Sequence, residues 1–69
     1  MTMSKLNIPK SEIIRLADEW IWNARNKEIL FKKLDGFTYE EIAEEFFLST
    51  VRTKEIVKQS VNIILEHSN

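Results

Sequence analysis

From Ile13 onward the chain spaces its apolar residues three and four positions apart, the signature of amphipathic helices rather than strands. The first stripe runs Ile13, Ile14, Ala17, Trp20, Ile21 and Ala24. It is entered either at Pro9, whose ring suits a first helical turn, or at Ser11, whose side chain can cap one. Trp20 lies on this stripe and is expected in the core. A second segment begins near Asn26, a good N-cap, and carries Ile29, Leu30 and Leu34 on one side before Asp35-Gly36. Glycine there supplies the left-handed residue that ends a helix, and Phe37 after it can fold back as the apolar contact of a Schellman stop.

Thr38 followed by Glu41 three residues later is a capping box, in which hydroxyl and carboxylate each satisfy one free backbone N–H. A short third helix follows, with Ile42, Ala43 and Phe46 inward and Glu40, Glu41, Glu44 and Glu45 elsewhere, running out near Phe47-Leu48. Ser49 is the next capping residue. Beyond it Thr53, Ile56, Val57, Ser60, Val61, Ile64 and Leu65 continue a stripe whose helix is about seventeen residues long. Its second half is expected to pack on the Trp20 face of the first helix. No segment alternates with period two for long enough to suggest a sheet. The pattern predicts an all-α fold: a small bundle of about four helices containing a helix-turn-helix motif with a long C-terminal recognition helix. Residues 1–8 are expected to be loose and 9–69 to form a single domain.

Composition narrows the way this fold holds together. A chain of 69 residues buries only ~60% of its unfolded surface. It has no cysteine and a single histidine, so neither a disulfide nor a metal site is expected to staple it, and no cofactor is implied. The apolar share of 43%, with one Gly and one Pro, suffices to pack a core. The N-terminus lacks the apolar stretch of a secretory signal, and no run approaches the ~20 residues of a membrane span, so no membrane association and a cytoplasmic location are the expectations. Catalysis is not expected either: no nucleophile can be grouped with a histidine and a carboxylate, no Gly-rich phosphate loop exists, and no small-molecule ligand is evident.

The formal net charge of −1 argues against binding by bulk basicity, but the charges are segmented. Arg25, Lys27, Lys32 and Lys33 stand against Glu28 alone; Asp35 to Glu45 is acidic; then Arg52, Lys54 and Lys58 stand against Glu55. A helix-turn-helix motif needs two helices joined by a short turn, the second longer than the first. Ile42, Phe46, Leu48, Thr53 and Ile56 occupy the places where such a motif buries apolar residues, and Ala43 sits where the helices approach most closely. That leaves Thr50, Val51, Arg52, Lys54, Glu55 and Lys58 outward. A helix with its side chains fits the ~12 Å major groove, where Arg or Lys can pair with guanine, Glu can accept from cytosine, and Val or a Thr methyl can touch thymine. Double-stranded DNA is therefore the expected partner, with Thr50, Val51, Arg52, Lys54 and Glu55 reading bases. Thr38, Tyr39, Lys58, Lys32 and Lys33 would hold the phosphate backbone.

The stretch Leu34-Asp-Gly-Phe-Thr-Tyr-Glu-Glu-Ile-Ala-Glu-Glu-Phe-Phe-Leu-Ser-Thr-Val-Arg-Thr-Lys-Glu-Ile-Val resembles the promoter-reading C-terminal region of bacterial RNA polymerase sigma factors. It looks especially like the small stand-alone, sigma-like regulators of Gram-positive bacteria and their phages. A scaffold helix opening Thr-Tyr-Glu-Glu-Ile-Ala, then Leu-Ser and a recognition helix, carries the likeness, and Arg25-Asn-Lys-Glu-Ile-Leu30 resembles the start of the family's upstream helix. The likeness covers residues 23–60. It implies a transcriptional regulator or sigma-like accessory factor. Two positions depart from it: Phe47 stands where the family often has Gly, Asn or Asp, and Thr53 where Val or Ile is common. A large apolar residue in that turn is strained if its φ is positive.

Simpler readings stand beside these. A charged outer face is what any surface helix presents, and Glu55 can pair along its helix with Lys58 instead of reading a base. Trp22, Phe31, Phe47 and Ile63 lie off the apolar stripes, and exposed large apolar groups on so small a chain mark a protein interface. A homodimer would double the DNA footprint of one small module. The acidic third helix could instead face a basic patch on RNA polymerase. The rival reading is accordingly a protein-interaction module, polymerase-binding or adaptor, that never touches DNA; use in phage packaging or recombination is a further alternative.

Overall fold

The computed structural model describes residues 8–68, in which four helices follow one another and no strand occurs. They are α1 (Lys10–Trp20), α2 (Ala24–Leu34), α3 (Tyr39–Glu45) and α4 (Thr50–Glu66). Residues 1–7 of the expected loose start lie outside the described residues. Ile8, which closes that segment, is half-buried and packs against the core.

Each boundary has a local chemical cause. Pro9 opens α1 with its carbonyl accepting from the Glu12 and Ile13 N–H groups, and Ser11 lies inside the helix. Arg15 then ties Glu12 to Glu19 across about two helical turns, and its hydrogen bond holds the Glu12 carboxyl below the usual carboxylate range. α1 ends at Trp20, four residues short of the expected stripe. The next residue, Ile21, turns to extended backbone while remaining buried. The Trp22 indole N–H donates to the Glu19 carbonyl at 2.9 Å, covering one of the free carbonyls of the last turn.

α2 starts earlier than Asn26. Asn23 is its cap, with Oδ1 accepting from the Asn26 N–H at 3.1 Å, so Ala24 belongs to the first turn of α2 and is exposed. The helix ends as expected. Gly36 takes φ 98°, its N–H donates to the Lys33 carbonyl at 3.1 Å, and the Phe37 N–H donates to the Lys32 carbonyl at 3.2 Å. At Thr38 the capping box is complete: the hydroxyl accepts from the Glu41 N–H at 3.1 Å, and the Glu41 carboxylate accepts from the Thr38 N–H at 2.9 Å. Ser49 caps α4 by accepting from the Arg52 N–H at 3.0 Å.

The core draws on every helix. Ile13, Leu16 and Ala17 of α1, with Ile21, meet Ile29 and Leu30 of α2, Ile42 of α3, and Ile56, Val57, Val61 and Ile64 of α4. α4 touches all three other helices, so it is the axis on which the bundle is assembled. Thr53 is fully buried, and its hydroxyl donates to the Ser49 carbonyl at 2.9 Å, which is how a polar residue occupies an apolar place without leaving a group unpaired.

Three expected core residues are not in it. Trp20 is 42% exposed and stacks flat on His67, with ring centroids 3.8 Å apart. Its place on the stripe is right, but it is the last residue of its helix, where only the end of α4 reaches. Leu16, one turn earlier, is buried in its stead. Ile14 and Leu65 each directly follow a buried stripe residue and are rotated to the rim, where both are exposed.

A candidate nucleic-acid interface

α3 and α4 are joined by only Phe46–Ser49, and the second helix is the longer. Ile42, Ala43, Thr53 and Ile56 are buried, and Phe46 and Leu48 pack against the core from its edge. This packing turns one face of α4 outward. Val51 is 68% exposed, Arg52, Lys54, Glu55 and Lys58 are exposed, and Thr50 is half-buried at the start of the helix. The cations are thus presented away from the core. Arg52 and Glu55 form an ion pair of 3.3 Å, so the partner of Glu55 lies one turn toward the N-terminus and not at Lys58.

The backbone-holding candidates divide into two groups. Lys33 at the end of α2 places Nζ 4.2 Å from the centre of the Tyr39 ring, and Lys54 of α4 places Nζ 5.7 Å from the same ring. Neither ammonium is in an ion pair among the described residues; Lys33 donates to the Phe37 carbonyl at 3.3 Å. Two cations from different helices therefore approach one half-buried aromatic ring at the start of α3. A negative group placed between these two ammonium groups would lower their mutual repulsion. Lys32 stands apart: its Nζ is 3.2 Å from a Glu45 carboxylate oxygen and 5.0 Å from the centre of the Phe37 ring, and it is half-buried.

Thr38 spends one lone pair on its cap and keeps its hydroxyl hydrogen for an outside acceptor. Lys58 is exposed one turn beyond Lys54 on α4. The acidic residues do not enter the cationic cluster as ion-pair partners. Glu41 is held by the cap and Glu45 by Lys32, while Glu40 and Glu44 are exposed on α3.

Lys54, expected among the base readers, is exposed on the outward face of α4 with its ammonium 5.7 Å from the centre of the Tyr39 ring. Sequence reasoning left unforeseen that Lys33 and Lys54 share a ring, because nothing local to either segment tells that the end of α2 and the start of α4 meet there. Of the four off-stripe residues, Phe31 and Ile63 are half-buried and pack on the core. Trp22 and Phe47 are open to solvent.

Phe47 is also the one described non-glycine residue with positive φ, at 57°. The hydrogen bonds around it repeat those at the end of α2: the Phe47 N–H donates to the Glu44 carbonyl at 3.4 Å, and the Leu48 N–H to the Ala43 carbonyl at 2.9 Å. Among the described residues no helix is long and apolar enough to cross a membrane, and no cluster of metal-ligating side chains is present. No protein-family model, curated protein or solved structure matches the chain.

Proposed function

We propose that the protein is a sequence-specific, double-stranded DNA-binding factor that regulates transcription, of the sigma-like helix-turn-helix kind, with no catalytic activity and no cofactor. The supporting observation is the convergence of the unpaired Lys33 and Lys54 ammonium groups on Tyr39, beside the outward face of α4. A phosphate drawn to that cluster would lay the start of α4 along the major groove. Val51, Thr50, Arg52 and Glu55 would then meet base edges, with Lys58 and the Thr38 hydroxyl on the backbone. Lys32, tied to Glu45, would contribute charge rather than a direct contact. The cell interior is the location this role requires.

The test is selection of bound sequences from a random duplex pool at two salt concentrations, followed by binding titrations on the winner. Lys33→Ala is expected to weaken all sequences alike and to lower the salt slope by about 1, while Arg52→Ala costs ~1–3 kcal/mol on the selected site and little elsewhere. A folded protein that selects no sequence at either salt would overturn the proposal. The rival, a protein-interaction module that does not bind DNA, has the open aromatics Trp22 and Phe47 in its favour. Docking through those aromatics does not require the steep loss of affinity between low and moderate salt that phosphate binding does.

A further inference from the structure

Phe47 is disfavoured twice over. Its backbone occupies the left-handed region, which a bulky side chain adopts only at a cost, and its ring is 95% exposed, so no packing within the chain offsets that cost. Glycine or asparagine would serve the turn better. Trp22 is 84% exposed, with only its indole N–H engaged, on the Glu19 carbonyl. These are the two most exposed large apolar side chains described.

Their neighbours carry opposite charges. Glu44, one helical turn before Phe47, is exposed and in no ion pair. Arg25, three residues after Trp22, is exposed, and its guanidinium reaches only the Asn26 amide oxygen, at 3.2 Å. The Glu19 carboxylate near Trp22 is already held by Arg15 at 3.0 Å. An exposed aromatic three residues from an unpaired carboxylate thus has, elsewhere on the chain, a counterpart three residues from a guanidinium in no ion pair.

We infer that the occupant is a second copy of this chain: Phe47 and Glu44 of one copy meet Trp22 and Arg25 of another. Stacking joins the two rings, and a carboxylate–guanidinium pair sets their register. Each copy carries both halves, so a two-fold pair in which both patches share one interface makes the contact twice. A formal charge of −1 per copy opposes this pairing only weakly. Duplex DNA is the less suited occupant at Phe47, because Glu40 and Glu44 on the same short helix repel phosphates. The inference does not depend on the DNA reading.

Sedimentation of the purified full chain, without DNA, from micromolar to millimolar concentration tests it. The wild type is expected to shift from monomer to dimer over that range. Phe47→Gly and Trp22→Ala should each weaken association by about tenfold or more. Mixing those two variants should restore part of it as one-to-one pairs, because the mixture rebuilds one of the two contacts. Thermal melting at a concentration where all species are monomeric separates folding from association: Phe47→Gly should melt no lower than the wild type. If Trp22→Ala melts early through loss of its bond to Glu19, the charge variants Arg25→Glu and Glu44→Arg replace the pair. Each should associate poorly alone and fully when mixed. A wild type that stays monomeric throughout would overturn the inference. So would a dimer indifferent to Phe47→Gly and to both charge variants, or mixtures that associate no better than their components.

Discussion

α2 and α3 end in the same hydrogen-bonded loop, but one puts Gly36, at φ 98°, in the left-handed position and the other puts Phe47 there, at φ 57°. At the first stop, backbone demand and residue type agree. At the second they conflict, and the ring gains no contact that would explain the choice. A conflict of this kind is uncommon in sequences whose local and global preferences reinforce one another, and where it persists it points to use rather than to folding. The cheap stop positions Thr38 and Tyr39. The costly stop sets the angle at which α4 leaves and presents an aromatic group to solvent.

Four substitutions sharpen that contrast, the largest effect coming from the core that both loops close upon. Ile42→Ala removes a fully buried side chain one turn before the second stop, and chemical denaturation should show a loss of ~2–5 kcal/mol. Next is Gly36→Ala. No atom lies within 4 Å of where the added Cβ would sit, so the loss of about 1–2 kcal/mol is a pure backbone effect. Phe47→Gly applies the same physics in reverse and should gain up to ~1 kcal/mol, trimmed by the greater freedom of glycine in the unfolded chain. A Phe47→Gly variant less stable than wild type would mean that the ring supports the turn after all, and the contrast between the two stops would dissolve. The smallest change is His67→Ala, which strips the stacked partner from Trp20; a loss of ~0.5–1 kcal/mol is expected, together with a change in tryptophan emission.

Much of this architecture was legible residue by residue. Helix stops and starts at Gly36, Thr38 and Ser49 were readable because a cap is made within three or four residues of itself. The misreadings share a cause. The pattern points to Asn26 as the cap where Asn23 serves, and to Trp20 as core where Leu16 is buried, because periodicity gives the direction a side chain points but not where its helix stops or how far the neighbouring helix extends. The same ignorance hid the candidate site: the outward set on α4 followed from its stripe, whereas the meeting of Lys33 with Lys54 over Tyr39 did not.

By itself, then, the order of residues determined four helical segments and the side of each that turns inward, since these depend on groups a few bonds apart; whether Phe47 is buried, strained or at an interface it left open. Only the tertiary structure decided which cations approach one another unpaired, which are tied across helices to carboxylates such as Glu45, and which aromatics are left open. Those outcomes depend on distances between helices, and such distances arise only when separate stripes pack into one shared core.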